Sequence, residues 1–582
     1  MISECMEVFE ALWTERQDKL ILDDYVPADG SYIFVDDKGS MKVFDVKMDK
    51  KSREVNRDFS EFPLLCFYDY YSQLITMNKP QDPGKIVHSN NIYSFWIKKD
   101  SIVSGKLTDE VIDRYYEVLS NPRKKYEKSK EAMRIYASVE EKYGEVDLTK
   151  LEENKSWIKE HVFRLDEKVD LSKKDYLKIF FRTDVESLVR EAERYFLPNI
   201  YNSNDYNVEI EGEVYGLPNN NLGMNAKKPF LAIKTRKCAA PYLLNAEDVM
   251  MQKRFFDYLY NLSSAGKNNL YVDIDRKKFI PCRNGEIPGG SFSGFFLRLQ
   301  KGKTEVEIHN QDVIPFHKDI LPKKFEFQNV IGIVHKTEDY NFQYHDRYKK
   351  YSELEELIDD IFFYKYLKNN YFTDIDKLNI SDSILKRNLL MSRGFLFDWL
   401  HKGIRNGTWE ALDKLSMKVI MESIAEDKYS RMVRQSNMRY SLRDYLNEGG
   451  EKMCSIISEL RNSLEEKLAS ETTPDLENDR EYFYAVGQMV NYLISLNKGA
   501  RKTMSLVNPF LNAKTDQVIK EKIRQYVKKY DYAIGFNWHK VHRLLAMIVG
   551  YFPDGPVDQD MILLGYACNN LLRYNGDKKG DK

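Results

Sequence analysis

The stretch SYIFVDDKGSMKVFDV, residues 31–46, decides what kind of fold the chain begins with. Apolar residues recur through both halves, and the turn formers DDKG at residues 36–39 separate them. Two such runs joined by a short turn are typical of a β-hairpin. Because a helical period precedes this hairpin over residues 2–20, we predict that the chain opens with mixed α and β structure.

Strand and helix patterns continue to alternate up to about residue 350. We predict strands over residues 92–98, 270–274, 295–300 and 306–309, and helices over residues 108–161, 185–196 and 247–264. The glycine-rich residues 281–294 predict a flexible connection. Beyond residue 352 nearly every segment has a helical period. The predicted fold class is an α+β N-terminal body, with mixed and mostly antiparallel strands, followed by an all-α C-terminal helical bundle.

Length and composition set further bounds. The 582 residues leave room for roughly four domain-sized units, and we divide them into a body at 1–350, a helical connector at 351–408 and a bundle at 409–582. The net charge of −1 means that any basic surface must be local. Six widely spaced cysteines without a C-x-x-C pair predict neither a zinc site nor a disulfide framework. The acidic start and the short apolar runs predict an unprocessed cytoplasmic protein that contacts no membrane.

Residues 199–237 form the least ordinary segment of the chain. They hold eight asparagines between Asn199 and Asn225 and then five cations, while residues 214–246 contain no Asp or Glu. Asparagine favours shaped turns and can bind base edges, lysine binds phosphate, and an apolar tip can unstack a base step. An exposed turn followed by a solvated basic strand is the alternative. The candidate nucleic-acid contacts are Asn219, Asn220, Asn221, Leu222, Met224, Asn225, Lys227, Lys228, Lys234, Arg236 and Lys237.

The helical tail carries a second basic surface. Eleven Lys or Arg stand against three Asp or Glu between residues 498 and 550. Helical spacing puts three of the cations on one face, and the segment Trp538-His539-Lys540 with Arg543 adds an aromatic tip. A basic face with interleaved aromatic residues can follow a phosphate backbone, although a solvated helix face has the same pattern. The candidate contacts here are Lys498, Arg501, Lys502, Lys540 and Arg543.

Catalytic motifs are weak throughout. Asp273 and Asp275 fall on one face of a predicted strand, where two carboxylates could hold the divalent metal of a nuclease. The pair His345-Asp346, with His335 upstream and Asp359 or Asp360 downstream, is a fainter metal candidate. A phosphate loop is excluded, because Leu297 stands where the loop before Gly302 requires glycine. The residues alone therefore show no recognisable chemistry, no cofactor fingerprint and no metal site supported by spacing.

Three stretches carry a resemblance to a known family. They are MNKPQDPGKIVHSNNIYSFWIKKDS at residues 77–101, YNSNDYNVEIEGEVYGLPNNNLGMNAKKPFLAIKTRK at residues 201–237, and the tail at 483–574 with NPFLNAK and GYACNNLL. These stretches resemble the large subunit of the type I-B CRISPR Cascade surveillance complex, and the similarity runs along almost the whole chain. Some relatives carry a cysteine-rich insertion that this sequence lacks.

The resemblance implies a non-catalytic protein of antiviral defence in which base pairing reads the target. Its expected partners are a guide CRISPR RNA, target double-stranded DNA with its protospacer-adjacent motif, the Cascade backbone and handle-binding subunits, and a recruited helicase-nuclease. The asparagine-rich loop would then recognise the adjacent motif and help to open the duplex. A metal-dependent nuclease using Asp273 and Asp275, or a scaffold that binds only proteins, remains the alternative.

The tail from about Trp409 resembles the small subunit of these complexes. The resemblance implies that a separately produced small subunit can arise from an internal start in the same gene. Candidate starts are Met417, Met421, Met432 and Met438.

Overall fold

The computed structural model describes residues 1–127, 129–203, 206–219, 243–302, 305–332, 346–447, 450–497, 503–534 and 538–573. The chain divides into two compact units, Met1–Pro288 with Phe292–Pro315, and Gly289–Ser291 with Phe316–Lys582. The predicted fold class is confirmed, since an α/β region with antiparallel sheets precedes a run of helices. The segment 351–408 lies within the second unit.

The first unit contains ten helices and ten strands among its described residues. Its helices are α1 (Ile2–Arg16), α2 (Lys19–Leu22), α3 (Phe62–Ser72), α4 (Lys99–Val103), α5 (Asp109–Ser120), α6 (Pro122–Tyr126), α7 (Lys130–Tyr143), α8 (Leu148–His161), α9 (Val185–Phe196) and α10 (Ala246–Ser264). Its strands are β1 (Gly30–Val35), β2 (Met41–Val46), β3 (Ser94–Lys98), β4 (Tyr176–Phe181), β5 (Val208–Ile210), β6 (Glu213–Tyr215), β7 (Asn269–Asp273), β8 (Lys278–Cys282), β9 (Ser291–Lys301) and β10 (Val306–Lys318).

The predicted hairpin is strands β1 and β2, which pair antiparallel from Gly30 opposite Val46 to Val35 opposite Met41. They belong to a sheet with the order β2-β1-β4-β3, in which β1 and β4 run parallel. Every residue of β1 is buried, as expected for a strand that is covered on both faces. Gly30 is required at its start, because a Cβ there would lie 2.4 Å from the carbonyl oxygen of Tyr176.

A buried ion pair joins this sheet to helix α3. Lys178 lies in the interior strand β4 with 4% of its surface exposed, and its Nζ donates to Asp69 Oδ1 at 2.5 Å. Tyr25 donates its hydroxyl to the other carboxylate oxygen at 2.8 Å. The ring centroid of Trp96 lies 3.8 Å from the same Nζ. Burial lowers the pKa of Lys178, and the Asp69 charge opposes that effect.

The second sheet has the order β10-β9-β7-β8 and packs with α1 and α10. An aromatic cluster fills this core, with the Phe9 ring 5.4 Å from Phe255 and the Tyr258 ring 5.5 Å from Phe279. The flexible connection predicted at residues 281–294 is wrong at both ends. Strand β8 continues to Cys282, and β9 begins at Ser291, because antiparallel pairing with β7 draws the flanking residues into the sheet.

The second unit is almost entirely helical. A short strand pair, β11 (Phe325–Glu326) and β12 (Arg347–Tyr348), precedes the helices. These are α11 (Tyr351–Phe363), α12 (Leu367–Asn370), α13 (Ser383–Lys402), α14 (Thr408–Ala425), α15 (Tyr429–Leu446), α16 (Met453–Ala469), α17 (Asp479–Ser495), α18 (Asn508–Leu511), α19 (Asp516–Tyr530), α20 (Trp538–Gly550) and α21 (Gln559–Ala567). In the part of the chain that is described, no helix is long and apolar enough to cross a bilayer.

Helices α17 and α21 cross closely because each presents a glycine to the other. A Cβ on Gly487 would lie 2.3 Å from the oxygen of Ile562, and one on Gly565 would lie 2.1 Å from the oxygen of Tyr484. Gln488 Nε2 then donates to the oxygen of Gly565 at 2.6 Å. Gly565 is the first residue of the GYACNNLL stretch, so that stretch has a packing role.

We expect the Lys178–Asp69 pair to stabilise the first unit strongly. Replacing Lys178 by Met leaves Asp69 buried without its cation, which costs about 3–5 kcal/mol in comparable buried pairs. Urea unfolding of the full chain, followed by tryptophan fluorescence, should show an earlier first transition. The exposed Lys174→Met variant is the control, and an equal shift in both variants would contradict the assignment.

Candidate nucleic-acid interface

Helix α19 is held in the second unit by one apolar face. Ile519, Ile523 and Tyr530 are buried, and Tyr526 packs its ring 5.3 Å from Phe510. The Tyr526 hydroxyl also donates to the oxygen of Leu506 at 3.1 Å. This spacing leaves the other face of α19 to the cations.

Four of the five cations of α19 fall into two groups, and the fifth, Lys522, donates to Gln525 Oε1 at 3.2 Å. Lys520 and Arg524 are neutralised within the helix, the first by Asp516 at 2.9 Å and the second by Glu521 at 2.5 Å. Lys528 and Lys529 are exposed in the last turn, and neither forms an ion pair with any residue described here. Cations at a helix C-terminus are favoured by the helix dipole, so these two need no local carboxylate.

Helix α20 presents an aromatic and basic first turn. Val541, Leu544, Met547 and Ile548 face the core. Trp538 is 52% exposed, and its ring centroid lies 4.3 Å from that of His542 one turn later and 5.1 Å from that of His539. His542 therefore supports an indole whose remaining surface is open to solvent.

The two predicted cations of α20 differ in what they contact. Lys540 is exposed and forms no ion pair within the described ranges. Arg543 is half-buried, and its Nη1 donates to the oxygen of Leu468 at 2.6 Å, in the last turn of α16. Arg543 thus anchors α20 to α16 and has fewer donors left for a ligand than Lys540.

The end of α19 and the start of α20 lie close together along the chain. Four peptide units join Ile534 to Trp538, so their Cα atoms lie within about 15 Å of each other. Tyr532, which is 68% exposed, lies just before this connection. We call this the α19–α20 surface, and define it by Lys528, Lys529, Tyr532, Trp538 and Lys540. Sequence reasoning missed Lys528, Lys529 and Tyr532, because the charge count of the tail did not separate paired from unpaired cations.

Of the asparagine-rich candidates, only Asn219 lies in the described part of the chain. It is 2% exposed, and its backbone N–H donates to the oxygen of Ile200 at 2.7 Å, so its side chain lies inside the fold. The remaining predictions on that loop and on the first tail cluster fall outside the described residues and stay predictions. They concern Asn220, Asn221, Leu222, Met224, Asn225, Lys227, Lys228, Lys234, Arg236, Lys237, Lys498, Arg501 and Lys502.

The predicted strand face shared by Asp273 and Asp275 is wrong. Strand β7 ends at Asp273, and Asp275 lies in the turn that follows. Asp273 is buried and accepts the backbone N–H of Arg276 at 2.9 Å, so it closes the turn into β8. The strand pattern did not predict this turn. Because of it, the two carboxylates do not share one face of a strand.

Other acidic candidates also have structural roles. Asp359 accepts the N–H groups of Leu367 and Lys368 at 2.7 and 3.1 Å, and burial raises its pKa to about 6. Its suggested partner His345 lies outside the described residues. Within the described ranges, one group brings three possible metal ligands together, namely Asp382, Glu422 and Glu426.

Asp382 in that group already caps helix α13. Its Oδ1 accepts the N–H groups of Ile384 and Leu385 at 2.8 and 3.0 Å. Burial, with the neighbouring charges of Asp382 and Glu426, raises the pKa of Glu422 to about 7.

A buried histidine pair lies elsewhere in the second unit. His401 Nε2 and the Tyr371 hydroxyl contact the same oxygen of Glu355, at 2.7 and 2.6 Å. His317 is 4% exposed, with both ring nitrogens unpartnered and its ring 5.3 Å from Tyr351. Burial, followed by the His401 charge, lowers the pKa of His317 to about 4. This cluster is closed to substrate and serves the core.

Comparison with known proteins adds no assignment. No protein-family model, no curated protein and no solved structure matches this chain.

We expect His317 to make the second unit sensitive to acid. The unfolded chain takes up this proton near the ordinary pKa of 6.5 and the folded chain only near 4, so stability is lost as the pH falls through that window. The loss at pH 5 is about 2 kcal/mol. In thermal melts from pH 8 to pH 5, the melting temperature should fall less steeply with pH for His317→Phe than for the wild type. Parallel plots of melting temperature against pH would refute the role of His317. His401, Glu355 and Asp319 face the same ring and are kept in both proteins.

Proposed function

We propose that this chain is a non-catalytic, nucleic-acid-binding large subunit of a type I-B Cascade complex. The observation that carries the proposal is the α19–α20 surface, where exposed cations without carboxylate partners alternate with Tyr532 and Trp538. Ammonium groups of this kind bind phosphates by releasing counterions, and exposed aromatic rings stack on unpaired bases. The combination favours a single strand over a duplex.

In this proposal base pairing with a guide CRISPR RNA selects the target, and the protein contacts backbone and adjacent motif. The first unit contacts the guide handle, the backbone subunits and the handle-binding subunit. Residues 220–237 recognise the protospacer-adjacent motif in double-stranded DNA. The α19–α20 surface holds a strand that has left the duplex, and a recruited helicase-nuclease performs the cleavage.

The helical tail also serves as the small subunit in this proposal. Met417 and Met421 lie in α14, and Met432 and Met438 lie in α15. Helix α14 contributes Ile420 and Ile424 to the same buried cluster as Met432. A product that begins at Met417 keeps both isoleucines, whereas later starts lose one or both. We therefore favour Met417 as the internal start.

The surface proposal predicts two separable losses in strand binding. Trp538→Ala should weaken binding of a single-stranded oligonucleotide about tenfold, because one base–aromatic stack is worth about 1–3 kcal/mol. Lys540→Ala should reduce the slope of log affinity against log salt by about 0.7, the value for one phosphate contact on a single strand. Fluorescence anisotropy with the full chain at several salt concentrations measures both.

Two matched controls accompany these variants. Lys377→Ala removes a cation that Asp374 already neutralises at 2.7 Å, and Tyr366→Ala removes an exposed aromatic ring from another helix end. Both should bind like the wild type. Equal losses in controls and test variants would mean that the α19–α20 surface has no special role.

A second prediction concerns the adjacent motif. In the assembled complex, replacing Asn225 and Lys228 by Ala should weaken binding of target duplex DNA and leave guide-complex assembly intact, because these side chains are proposed to bind base edges and phosphate. Binding is measured by gel shift at fixed salt, with assembly checked by size-exclusion chromatography. Unchanged affinity in a fully assembled complex would refute the role of this loop.

A further inference from the structure

Two lysines of the first unit are partly buried and have no carboxylate partner among the residues that the structure describes. Lys79 Nζ donates to the backbone oxygens of Asn199, at 3.1 Å, and Tyr201. Lys125 Nζ donates to the backbone oxygen of Pro80 and to Gln81 Oε1, both at 2.7 Å. All four acceptors are neutral. Lys79 belongs to the MNKPQDPGK stretch, to which the proposed function gives no role.

The two ammonium groups belong to one hydrogen-bonded network. Lys125 Nζ lies 5.8 and 5.7 Å from the ring centroids of Tyr126 and Tyr195. The Tyr195 hydroxyl donates to the backbone oxygen of Lys79 at 2.8 Å. Asn199 Nδ2 donates to the Tyr126 hydroxyl at 2.9 Å. The network therefore places two positive charges in one pocket of aromatic rings and neutral oxygens.

The acidic residues on the same elements are committed elsewhere. Arg114 Nε donates to Asp82 at 3.0 Å, and Arg194 Nε donates to Glu191 at 3.0 Å. Glu193 contacts the Tyr143 hydroxyl, and Glu127 is exposed at the end of α6. Residues 220–242 contain no Asp or Glu and so cannot supply a counterion. Asp205 is the one acidic residue in the segment 204–205, which lies outside the described residues.

The electrostatics of the pair favour an added anion. Burial lowers the pKa of Lys79 to about 8. Burial, followed by repulsion from Lys79, lowers the pKa of Lys125 to about 7. Each ammonium has three N–H donors and uses two of them, so one donor remains on each. Two oxygens of one phosphate group could each accept one of these donors. This would stabilise the charged form of both lysines.

The position of the pair indicates which anion reaches it. Tyr201, whose oxygen Lys79 contacts, pairs with Pro218, and Gly216 pairs with Leu244. Lys79 therefore lies close to described residues on either side of the segment 220–242. We propose that Lys79 and Lys125 together bind a phosphodiester group of the nucleic acid that this subunit holds. This inference rests on the proposed function and adds a second binding site to it.

The test uses the full chain and two neutral variants of similar shape, Lys79→Met and Lys125→Met. Each should bind a single-stranded oligonucleotide about five- to tenfold more weakly near 0.1 M salt, with a salt slope reduced by about 0.7. The exposed Lys174→Met, which loses a solvated lysine of the same unit, should bind like the wild type. If the two lysines only fasten the loops, their variants melt at lower temperature with an unchanged salt slope, and the proposal is overturned.

A second measurement needs no variant. Acylation of lysines in the wild-type protein at pH 7, read by mass spectrometry, should label Lys79 and Lys125 several-fold more slowly when the oligonucleotide is bound. Labelling of Lys174 should not change. Absence of protection at both lysines would overturn the site even if the variants failed to fold.

Inorganic phosphate at constant ionic strength separates the two sources of the anion. Weak protection by phosphate and strong protection by the oligonucleotide support a phosphodiester, whereas protection by inorganic phosphate alone overturns the nucleic-acid assignment. Phosphate protection should also decline between pH 7 and 9, as the two amines lose their protons. Wild-type protein that binds no oligonucleotide would defeat the proposed function itself, while strand binding that is indifferent to Lys79 and Lys125 would defeat this inference alone.

Discussion

The first unit depends on keeping a charged side chain inside a sheet. Lys178 lies in the interior strand β4, and its ammonium could not stay buried without Asp69 on α3. The same chain meets that requirement repeatedly, since Lys99 is buried against Asp175 at 2.6 Å and Lys253 against Asp257 at 2.6 Å. Asp69 joins β4 to α3, whereas Asp257 lies one turn from Lys253 within α10 and reaches a second element by accepting the Tyr70 hydroxyl of α3 at 2.9 Å. In this protein a buried lysine is thus paired with an aspartate, and the aspartate helps to hold secondary-structure elements together.

Lys79 and Lys125 depart from that pattern in a way that carries information. Both ammonium groups are held by neutral oxygens, so the fold bears the cost of burying positive charge without the usual compensation. Tyrosine rings around Lys125 recover part of the loss through their quadrupoles. The phosphodiester proposed above would supply the missing negative charge, which residues 220–242 cannot supply because they contain no Asp or Glu.

The sequence predicted elements whose signal is local and missed those set by distant contacts. The hairpin at residues 31–46 and the helix at 185–196 follow from periodicity alone, and α9 has the predicted bounds. Strand β4 was not predicted, because its apolar run YLKIFF is interrupted by Lys178, and only Asp69, far away in sequence, explains that lysine. Asp275 shows the opposite error. It was assigned to a strand because the alternation of apolar and polar residues continues from β7 into the turn that follows.

The sequence could predict that the tail is rich in cations, but not which of these cations lack a carboxylate partner. The tail contains eleven cations between residues 498 and 550, yet Lys520, Arg524 and Arg543 are occupied by helix neighbours and carbonyl oxygens. Lys528, Lys529 and Lys540 have no carboxylate partner among the described residues, a property that they share with Lys514 and Lys522 and that depends on packing and not on spacing.

The GYACNNLL stretch of the tail, which carries part of the family resemblance, also cannot locate a ligand site. In GYACNNLL, Gly565 allows α17 and α21 to cross, and Asn570 Nδ2 donates to the oxygen of Gln488 at 2.7 Å. Such residues are retained for close packing whatever the helices bind, so they identify a fold and do not locate its ligand. In the proposed function, the contact with nucleic acid is expected where exposed cations have no carboxylate partner, as among the described residues of the α19–α20 surface.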